Sequence, residues 1–549
     1  MSFCANMSFW APRGAVLPLL FCSFLAPACA QASADQVFPG CAVPGPPKHR
    51  FYFDAANGSD AGDGSKAHPW KSVQAVFAPE RGASPLLSTV PYRHLAPDGK
   101  TVVVAPNPDA PIKPGDAIEL MSGDYGKLFA FIYATPIINS DFVTIEAAPG
   151  QTPVIEQLFV GGTNKWRFRG LKVQGLKDRR PQVSVGNGAS PTEDIILDGL
   201  SISTQDDISA WSKEDWRTSG RQGVGVRIGG PGGAGPGGCV AIVNSKIFNV
   251  TFGIGLEGNR ILVDNNTINN FGDDGIDYGV NDLIISHNTI TNSNEIGDGE
   301  HIDAMQGQSS GRPPGIRSNH FHNILIDSNL VIRQTDPHLK FPAGMQGIDA
   351  FDEDWDDITV SNNVVITTAC WGIAYASVHG GKFINNTVLA DNLLPAVVAR
   401  AGNCKPGVGV ADKTHEGSSS NDVIIRNNLG NGLGIYNLDP NMTMDHNICV
   451  ATDGKCPVLF YVDGKPAWGH SKPGVYGDHN LVDGRGAEGE FVKFDPANLV
   501  YDVRLKAGAR AIGAGNPAEA PARDITGAER QGPADVGAYR YDPQTGSAK

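Results

Sequence analysis

Ile261-Leu-Val-Asp-Asn-Asn-Thr-Ile-Asn-Asn-Phe-Gly-Asp-Asp-Gly-Ile-Asp277 is followed by Leu283-Ile-Ile-Ser-His-Asn-Thr-Ile-Thr-Asn-Ser293. In each stretch a short apolar run leads into a polar pair ending in Asn, and a second apolar run follows. A glycine-led strand completes the unit. The same polar pair recurs as Asn244-Ser245, Asn265-Asn266, His287-Asn288, Ser328-Asn329, Asn362-Asn363, Asn385-Asn386, Asn427-Asn428 and His446-Asn447. Asn266, Asn288, Asn329, Asn363 and Asn386 stand 22, 41, 34 and 23 residues apart. The short intervals are single coils, and the long ones are coils carrying loop insertions. Periods of this size with β-branched strands predict a solenoid of parallel strands, stacked about 4.8 Å apart. Asn suits the steps because it tolerates left-handed backbone and its amide can bond the next Asn above and below. The steps are architecture, not chemistry.

The 549 residues exceed what one ordinary core uses. With 67 glycines and only 8% aromatics, the composition favours many short strands and tight turns. A formal charge of −14 argues against nucleic acid as a partner. A polyanionic substrate would then need local positive charge or a bridging cation. Arg13, the apolar run Ala15–Ala26 and the small-x-small site Ala28-Cys29-Ala30 read as an export signal over residues 1–30. Periplasmic or extracellular residence is therefore expected. That run is too short to span a bilayer and no later segment approaches ~20 apolar residues, so no membrane insertion is expected after cleavage. Beyond the leader lie Cys41, Cys239, Cys370, Cys404, Cys449 and Cys456. An even number suits disulfides in an exported chain, with Cys449/Cys456 the best local pair. Nothing in the sequence bears on oligomeric state.

Phe51-Tyr-Phe-Asp-Ala-Ala-Asn-Gly-Ser-Asp60 and His68-Pro-Trp-Lys-Ser-Val-Gln-Ala-Val-Phe77 read as an opening strand, a turn and a short amphipathic capping helix. Pro114-Gly-Asp-Ala-Ile-Glu-Leu120 begins the first coil. Gly508-Ala-Arg-Ala-Ile-Gly513 and Asp535-Val-Gly-Ala-Tyr-Arg540 flank a loop and read as a terminal cap. The chain thus divides into a leader (1–30), an opening strand, cap and loop (31–113), the coils (114–500), and a C-terminal cap and tail (501–549). These stretches resemble the opening and closing segments of pectate-lyase-like right-handed parallel β-helix proteins, across most of residues 51–541. The resemblance implies an all-β, single-stranded right-handed parallel β-helix and a polysaccharide partner, expected to be anionic.

The glycine-led strands align through one inward apolar residue each: Val226, Ile254, Ile276, Ile302, Ile348, Ile373 and Ile435. Side chains alternate along a strand. The outward column is then expected to be Arg227, Gly255, Asp277, Asp303, Asp349, Ala374 and Tyr436. The residues before the inward ones are Gly225, Gly253, Gly275, His301, Gly347, Gly372 and Gly434, which suggest a shallow trough with His301 rising from it. One position earlier stand Asp274, Glu300 and Gln346. Aspartates on consecutive coils would lie about 5 Å apart, which is unfavourable for like charges. Water can screen them, a shared proton can make them an acid/base pair, or Ca²⁺ can bridge them with Ca–O distances of about 2.3–2.6 Å.

Gly272-Asp-Asp-Gly-Ile-Asp277 resembles the Asp-Asp-Gly-aromatic-Asp calcium motif of family 9 pectate lyases. That resemblance implies Asp273, Asp274 and Asp277 as Ca²⁺ ligands, to which Glu300 and Asp303 on the next coil are added as candidates. The chain departs from the motif's setting twice. Phe252-Gly253 stands where that family supplies another Asp, and Asp303 and Asp349 stand where its catalytic Lys projects. Elimination from a uronate polymer needs a base at C5 and a positive centre on the carboxylate. His301 is one candidate base; Lys340 and His338, in the loop before Asp349, are others. Arg227, Arg312 and Arg317 are candidate anion contacts, and Trp355, in the acidic turn Asp352-Glu-Asp-Trp-Asp-Asp357, is a candidate sugar platform.

Two other reactions and one non-catalytic role stay open. Paired aspartates at ~5 Å or ~9–10 Å also suit hydrolysis, in a layout similar to polygalacturonase-like β-helices, although the Gly-His-Gly and Arg-Ile-Lys signatures of those enzymes are absent. Asp336-Pro-His338 matches part of the Asp-Pro-His-Glu motif of mannuronan epimerases, with Leu339 in place of the acid. A glycan-binding or adhesion β-helix with a structural ion is the alternative outside catalysis.

Overall fold

A computed structural model describes residues 37–77, 84–131, 135–175, 180–186, 191–220, 223–229, 238–309, 317–369, 371–393, 405–411, 417–435, 441–452, 461–462, 465–466 and 479–544. The proposed leader, Arg312, Tyr436, Cys370, Cys404 and Cys456 lie outside the described residues.

Each coil contributes a strand to each of three faces. One coil shows the order: the strand Phe252–Asp264 ends the first face, Asn265-Asn266 turns the corner, Thr267–Phe271 lies on the second face, and Ile276–Ser286 starts on the third. This last strand runs on round the next corner to begin the following coil. Strands stack in parallel on every face, with Asp264 on Ser286, Ile268 on Ile290 and Ile254 on Ile276. The long strands join the first and third faces into one 23-stranded sheet among the described residues, and the second face forms a 13-stranded sheet. The chain is a right-handed parallel β-helix.

Three inward stacks fill the tube. They are Ile242–Val263–Ile285–Ile326–Val360–Phe383, Ile247–Ile268–Ile290–Val331–Val365–Val388 and Ile254–Ile276–Met305–Ile348–Ile373–Val408. None of these side chains is more than 1% exposed. A single coil cannot bury its own apolar edge, so burial depends on the neighbours above and below.

The polar steps divide their work between two residues. The first of each pair, from Asn244 and Asn265 through Ser328 to His446, holds a φ between 53° and 58°. The second forms a buried ladder. Asn363 Oδ1 accepts from the Asn329 backbone N–H (2.9 Å) and amide (3.0 Å), and Asn363 Nδ2 donates to Ile326 O (2.9 Å) and Asn386 Oδ1 (3.0 Å). The same pattern links Asn266, Asn288, Asn329, Asn363, Asn386, Asn428 and Asn447. It extends one step further, to Asn480 after the left-handed His479.

The expected capping helix is a single 3₁₀ turn, Val73–Val76. Trp70 is already committed to the sheet, its N–H donating to Tyr52 O and its O accepting from Asp54 N, and too few residues follow to propagate a helix. Val73, Val76 and Phe77 still close the apolar end of the tube.

Two segments lie along the outside. Val37, Phe38 and Ala42 cover outward apolar residues of the first face, among them Phe142, Ile196, Ala241 and Leu262. The Cys41–Cys239 disulfide fixes this strap across a sequence separation of 198. The C-terminal segment does the same for the second face, where Phe491, Val503, Leu505, Val536 and Ala538 cover Ile366, Leu389, Leu429 and Ile448. Cys449 is also disulfide-bonded.

The ladder and the steps give separate predictions. Asn363→Ala orphans two buried donors on Asn329 and removes the amide bonds to Ile326 O and Asn386 Oδ1, and should cost on the order of 3 kcal/mol in urea unfolding. His287 Nδ1 lies 2.7 Å from Asp264 Oδ1, and this hydrogen bond raises the imidazole pKa above 6.5 against the opposing effect of burial. Its stabilisation is therefore fully present below the unfolded pKa and is lost as pH rises through the raised folded value. The stability difference between wild type and His287→Asn, measured by chemical unfolding, should accordingly shrink between pH 5 and pH 8.

Candidate active site

The acidic residues of the third face form two columns where one was expected. Ile276 pairs with Met305, not Ile302, and Met305 pairs with Ile348. Both of the coils concerned carry two inward apolar residues three apart, Ile302 with Met305 and Met345 with Ile348, and Ile302 stacks on Met345. Alignment through Ile302 therefore reads that coil three residues out. The outward column is Arg227, Gly255, Asp277, Gln306, Asp349, Ala374 and Gly409. Asp303 belongs instead to the corner where the second face turns into the third. There its backbone N–H donates to Asp274 Oδ1 (2.9 Å), and it stacks on Gln346 of the next coil.

The expected glycine trough is also corrected. A Cβ on Gly253, Gly275 or Gly347 would meet the next coil's carbonyl, and behind it Ile268, Ile290 or Val365 of the second face. These positions are pressed against the opposite sheet, and Ala304, not His301, fills the place in the coil between.

The two columns converge on one cluster. His301 Nδ1 lies 2.8 Å from Asp303 Oδ2. Gln306 Nε2 donates to the same oxygen (2.9 Å), and Gln308 Nε2 donates to Asp277 Oδ2 (2.7 Å). The carboxyls of Asp277 and Asp274 repel each other, as do those of Asp349 and Asp303. Asp274, Asp303 and Asp349 are 5%, 0% and 1% exposed. Burial, reinforced by neighbouring carboxylates, pushes Asp277 up to about 7 and Asp273 up to about 7. The same causes raise Asp274 and Asp349 well above the usual carboxylate range.

Five buried oxygens here accept no hydrogen bond: Asp277 Oδ1, Asp303 Oδ1, Gln346 Oε1 and both oxygens of Asp349. Buried acceptors without donors are costly. Protons on some of the carboxyls relieve that cost, and so does a hard cation, which takes oxygen ligands of this kind. The donor set therefore fits Ca²⁺. Asp274, His301 and Asp303 also bring one ligand atom each within 4.8 Å of the others.

The remaining candidates are spread more widely. Glu300 is exposed at the mouth and, with Asp298, contributes to raising Asp273. Arg227 lies two coils below Asp277 but is paired with Glu257 at 2.6 Å. Lys340 Nζ donates to Trp211 O (2.7 Å) and sits 5.5 Å from the Phe341 ring, so it anchors the Trp211 loop. His338 and Arg317 are exposed. Trp355 is no surface platform. The acidic turn becomes a strand from Asp354, which points Trp355 inward, fully buried against Tyr278 (5.5 Å), Phe321 (5.3 Å) and Tyr375 (6.3 Å). Gln306 and Gln308 were not read as site residues. Aligning Met305-Gln306 with Ile348-Asp349 would have found the first.

No family model matches the chain, and no curated protein matches it. Solved structures do. Pectate lyase Pel9A is 13% identical, with 92% of this chain and 98% of that chain covered at a TM-score of 0.39. The GH136 lacto-N-biosidase from Eubacterium ramulus is 13% identical, covering 79% and 68% at 0.38. The A-module of the Azotobacter vinelandii mannuronan C-5 epimerase AlgE6 is 11% identical, covering 67% and 89% at 0.33. At these identities the likeness is one of fold.

The electrostatics of the cluster can be tested directly. Because the folded-state pKa of Asp349 is raised, its cost is absent below the unfolded value and grows as pH rises toward the folded one. In chelator, Asp349→Asn should therefore unfold at a higher temperature than wild type at pH 8, and the gap should narrow at pH 5.

Proposed function

We propose that this chain is an exported polysaccharide lyase that cleaves uronic-acid polymers by β-elimination, with Ca²⁺ in the acid cluster and His301 as base. The observation that carries the reading is the group of five donorless buried oxygens beside a histidine held by Asp303. The resemblance of Gly272-Asp-Asp-Gly-Ile-Asp277 to a calcium motif supports the same choice. The Cys41–Cys239 disulfide supports an oxidising compartment. The third-face strands stacked from Val224–Ile228 to Gly407–Ala411 offer an extended surface suited to a polymer.

Asp274, Asp277, Asp303, Asp349 and Gln346 would hold the ion, with Asp273 and Glu300 nearer the mouth. When bound, the ion neutralises the uronate carboxylate and so acidifies the C5 proton. Asp303 accepts from His301 Nδ1–H, which makes Nε2 the basic nitrogen of the neutral ring. His301, with 44% of its side chain exposed, then takes the C5 proton through Nε2. The released electron pair forms the C4–C5 double bond as the C4–O4 bond breaks. The leaving oxygen takes its proton from solvent water.

One observation favours a second reading. Asp277 and Asp349 sit on alternate coils, ~9–10 Å apart by strand spacing. That spacing is near the upper end of what the acid and base of an inverting hydrolase require, with the raised carboxyl of Asp277 suited to the acid.

A panel of uronate polymers, assayed with and without chelator, separates the readings. Elimination predicts a rise in ultraviolet absorbance from the conjugated product, abolished by chelator, and a loss of about 10²–10⁴-fold in kcat for His301→Ala. New reducing ends without that absorbance select hydrolysis. Binding without turnover on any polymer overturns the enzymatic reading.

A further inference from the structure

We infer that the first face carries a second cation site of different chemistry, in which His320, Asp356 and His379 take a zinc-class divalent ion. The three residues come from successive coils, on the strands His320–Asp327, Asp354–Ser361 and Val378–His379. Asp356 stacks directly on His379, and His320 on Asp354. Both imidazoles turn the same nitrogen to the same carboxylate. His320 Nδ1 is 3.1 Å from Asp356 Oδ2, and His379 Nδ1 is 2.6 Å from Asp356 Oδ1. The rings face each other 24° from parallel with centroids 6.4 Å apart, and one donor atom from each of the three residues lies within 4.8 Å of the others.

The outer nitrogen of His379 is held as a metal-bound histidine requires, and that of His320 faces a carboxylate. His379 Nε2 is 2.8 Å from Ser418 Oγ, and His320 Nε2 is 3.7 Å from Asp354 Oδ2. Asp354 is buried and fixed in turn by the Ser418 N–H (2.8 Å) and hydroxyl (2.5 Å). Ligating imidazoles characteristically have the far nitrogen bonded to a carboxylate, carbonyl or water, which sets the tautomer.

Proton counting gives an independent argument. The Ser418 hydroxyl has one proton, and it is directed at Asp354. The bond between His379 and Ser418 must then use the imidazole's Nε2–H. A neutral ring has no second N–H, so the Nδ1 lone pair faces an oxygen of Asp356 at 2.6 Å. A second ring proton resolves that opposition, and so does a cation that spreads the two atoms to coordination distance and takes both as ligands. Two imidazoles and one carboxylate select a borderline metal such as Zn²⁺ over Ca²⁺, which distinguishes this site from the oxygen-only acid cluster. With 61% of the His320 side chain exposed, further coordination positions open to solvent. Because the ligands come from three coils, the ion clips those coils together.

The test uses the full chain, stripped with chelator and titrated with ZnCl₂ by calorimetry and with CoCl₂ by visible absorption. Wild type and Asp303→Asn should both take up one Zn²⁺ or Co²⁺ at this site, and Zn²⁺ should raise their melting temperature. The double variant His320→Gln/His379→Gln should bind at least about tenfold more weakly and lose the Co²⁺ band. Where the double variant is unstable, His320→Gln alone serves, because that side chain adds nothing to the core. No uptake by wild type, or uptake undiminished in the histidine variants and lost instead in Asp303→Asn, overturns the site.

Discussion

At one corner of the described coils from Asn244 to His479 the backbone turns through a left-handed residue, and the peptide groups beside that turn are closed off from water. The stacked carboxamides meet this constraint: each internal Asn accepts two bonds from the coil before and donates to a carbonyl and to the coil after. With that corner fixed, the strands on either side can adopt only one register, because a slip of one residue would turn the core outward. Loop length then ceases to matter for stacking. The 41 residues between Asn288 and Asn329 include a long insertion, yet the ladder bond across them matches the one across 23 residues between Asn363 and Asn386.

This constraint also determines how far the sequence could be read. The first and second faces flank the ladder, so repeat, period and inward stacks were legible from the Asn pairs alone. The third face is reached through a corner whose amide contacts, such as Asn270 to Asn249 and Asn294 to Asn270, lack the regular pattern of the first. There the coil can carry two inward residues three apart, and Ile302 and Met305 are equally apolar in sequence. Only the pairing with Met345 and Ile348 decides between them. Asp303 therefore stands among the candidate residues of the sequence but in the wrong column. Trp355 was misread for a related reason, since the acidic residues around it conceal a strand whose alternation buries the indole. The capping segment kept its apolar contacts but not its helix, because Trp70 joins the sheet and leaves too short a run.

The same freedom of register builds the site. Spacing Ile302 and Met305 three apart inserts an extra step at the corner, and this step brings Asp303 up against Asp274 and diagonally against Asp349. A strictly periodic third face would have left the carboxyls in a single solvent-washed row. The irregular one gathers them into a dry cluster with more acceptors than donors. Such a cluster weakens the bare scaffold, and the regular ladder on the neighbouring corner holds the coils that carry it.

The strap at the N-terminus has a consequence for how such a molecule comes apart. A solenoid held by nearest-neighbour contacts can peel from an end, one coil at a time, each released coil gaining the freedom of a loose tail. Here the chain before the first coil is bonded to the strand Gly238–Val243, so the coils between belong to a closed ring. A coil released inside a ring gains much less freedom than one released from a tail. Stepwise peeling from the N-terminal end is thereby suppressed, and those early coils are held to open together or not at all. Fraying becomes directional, left to the opposite end, where a folded-back segment without a described covalent tie guards the last turns.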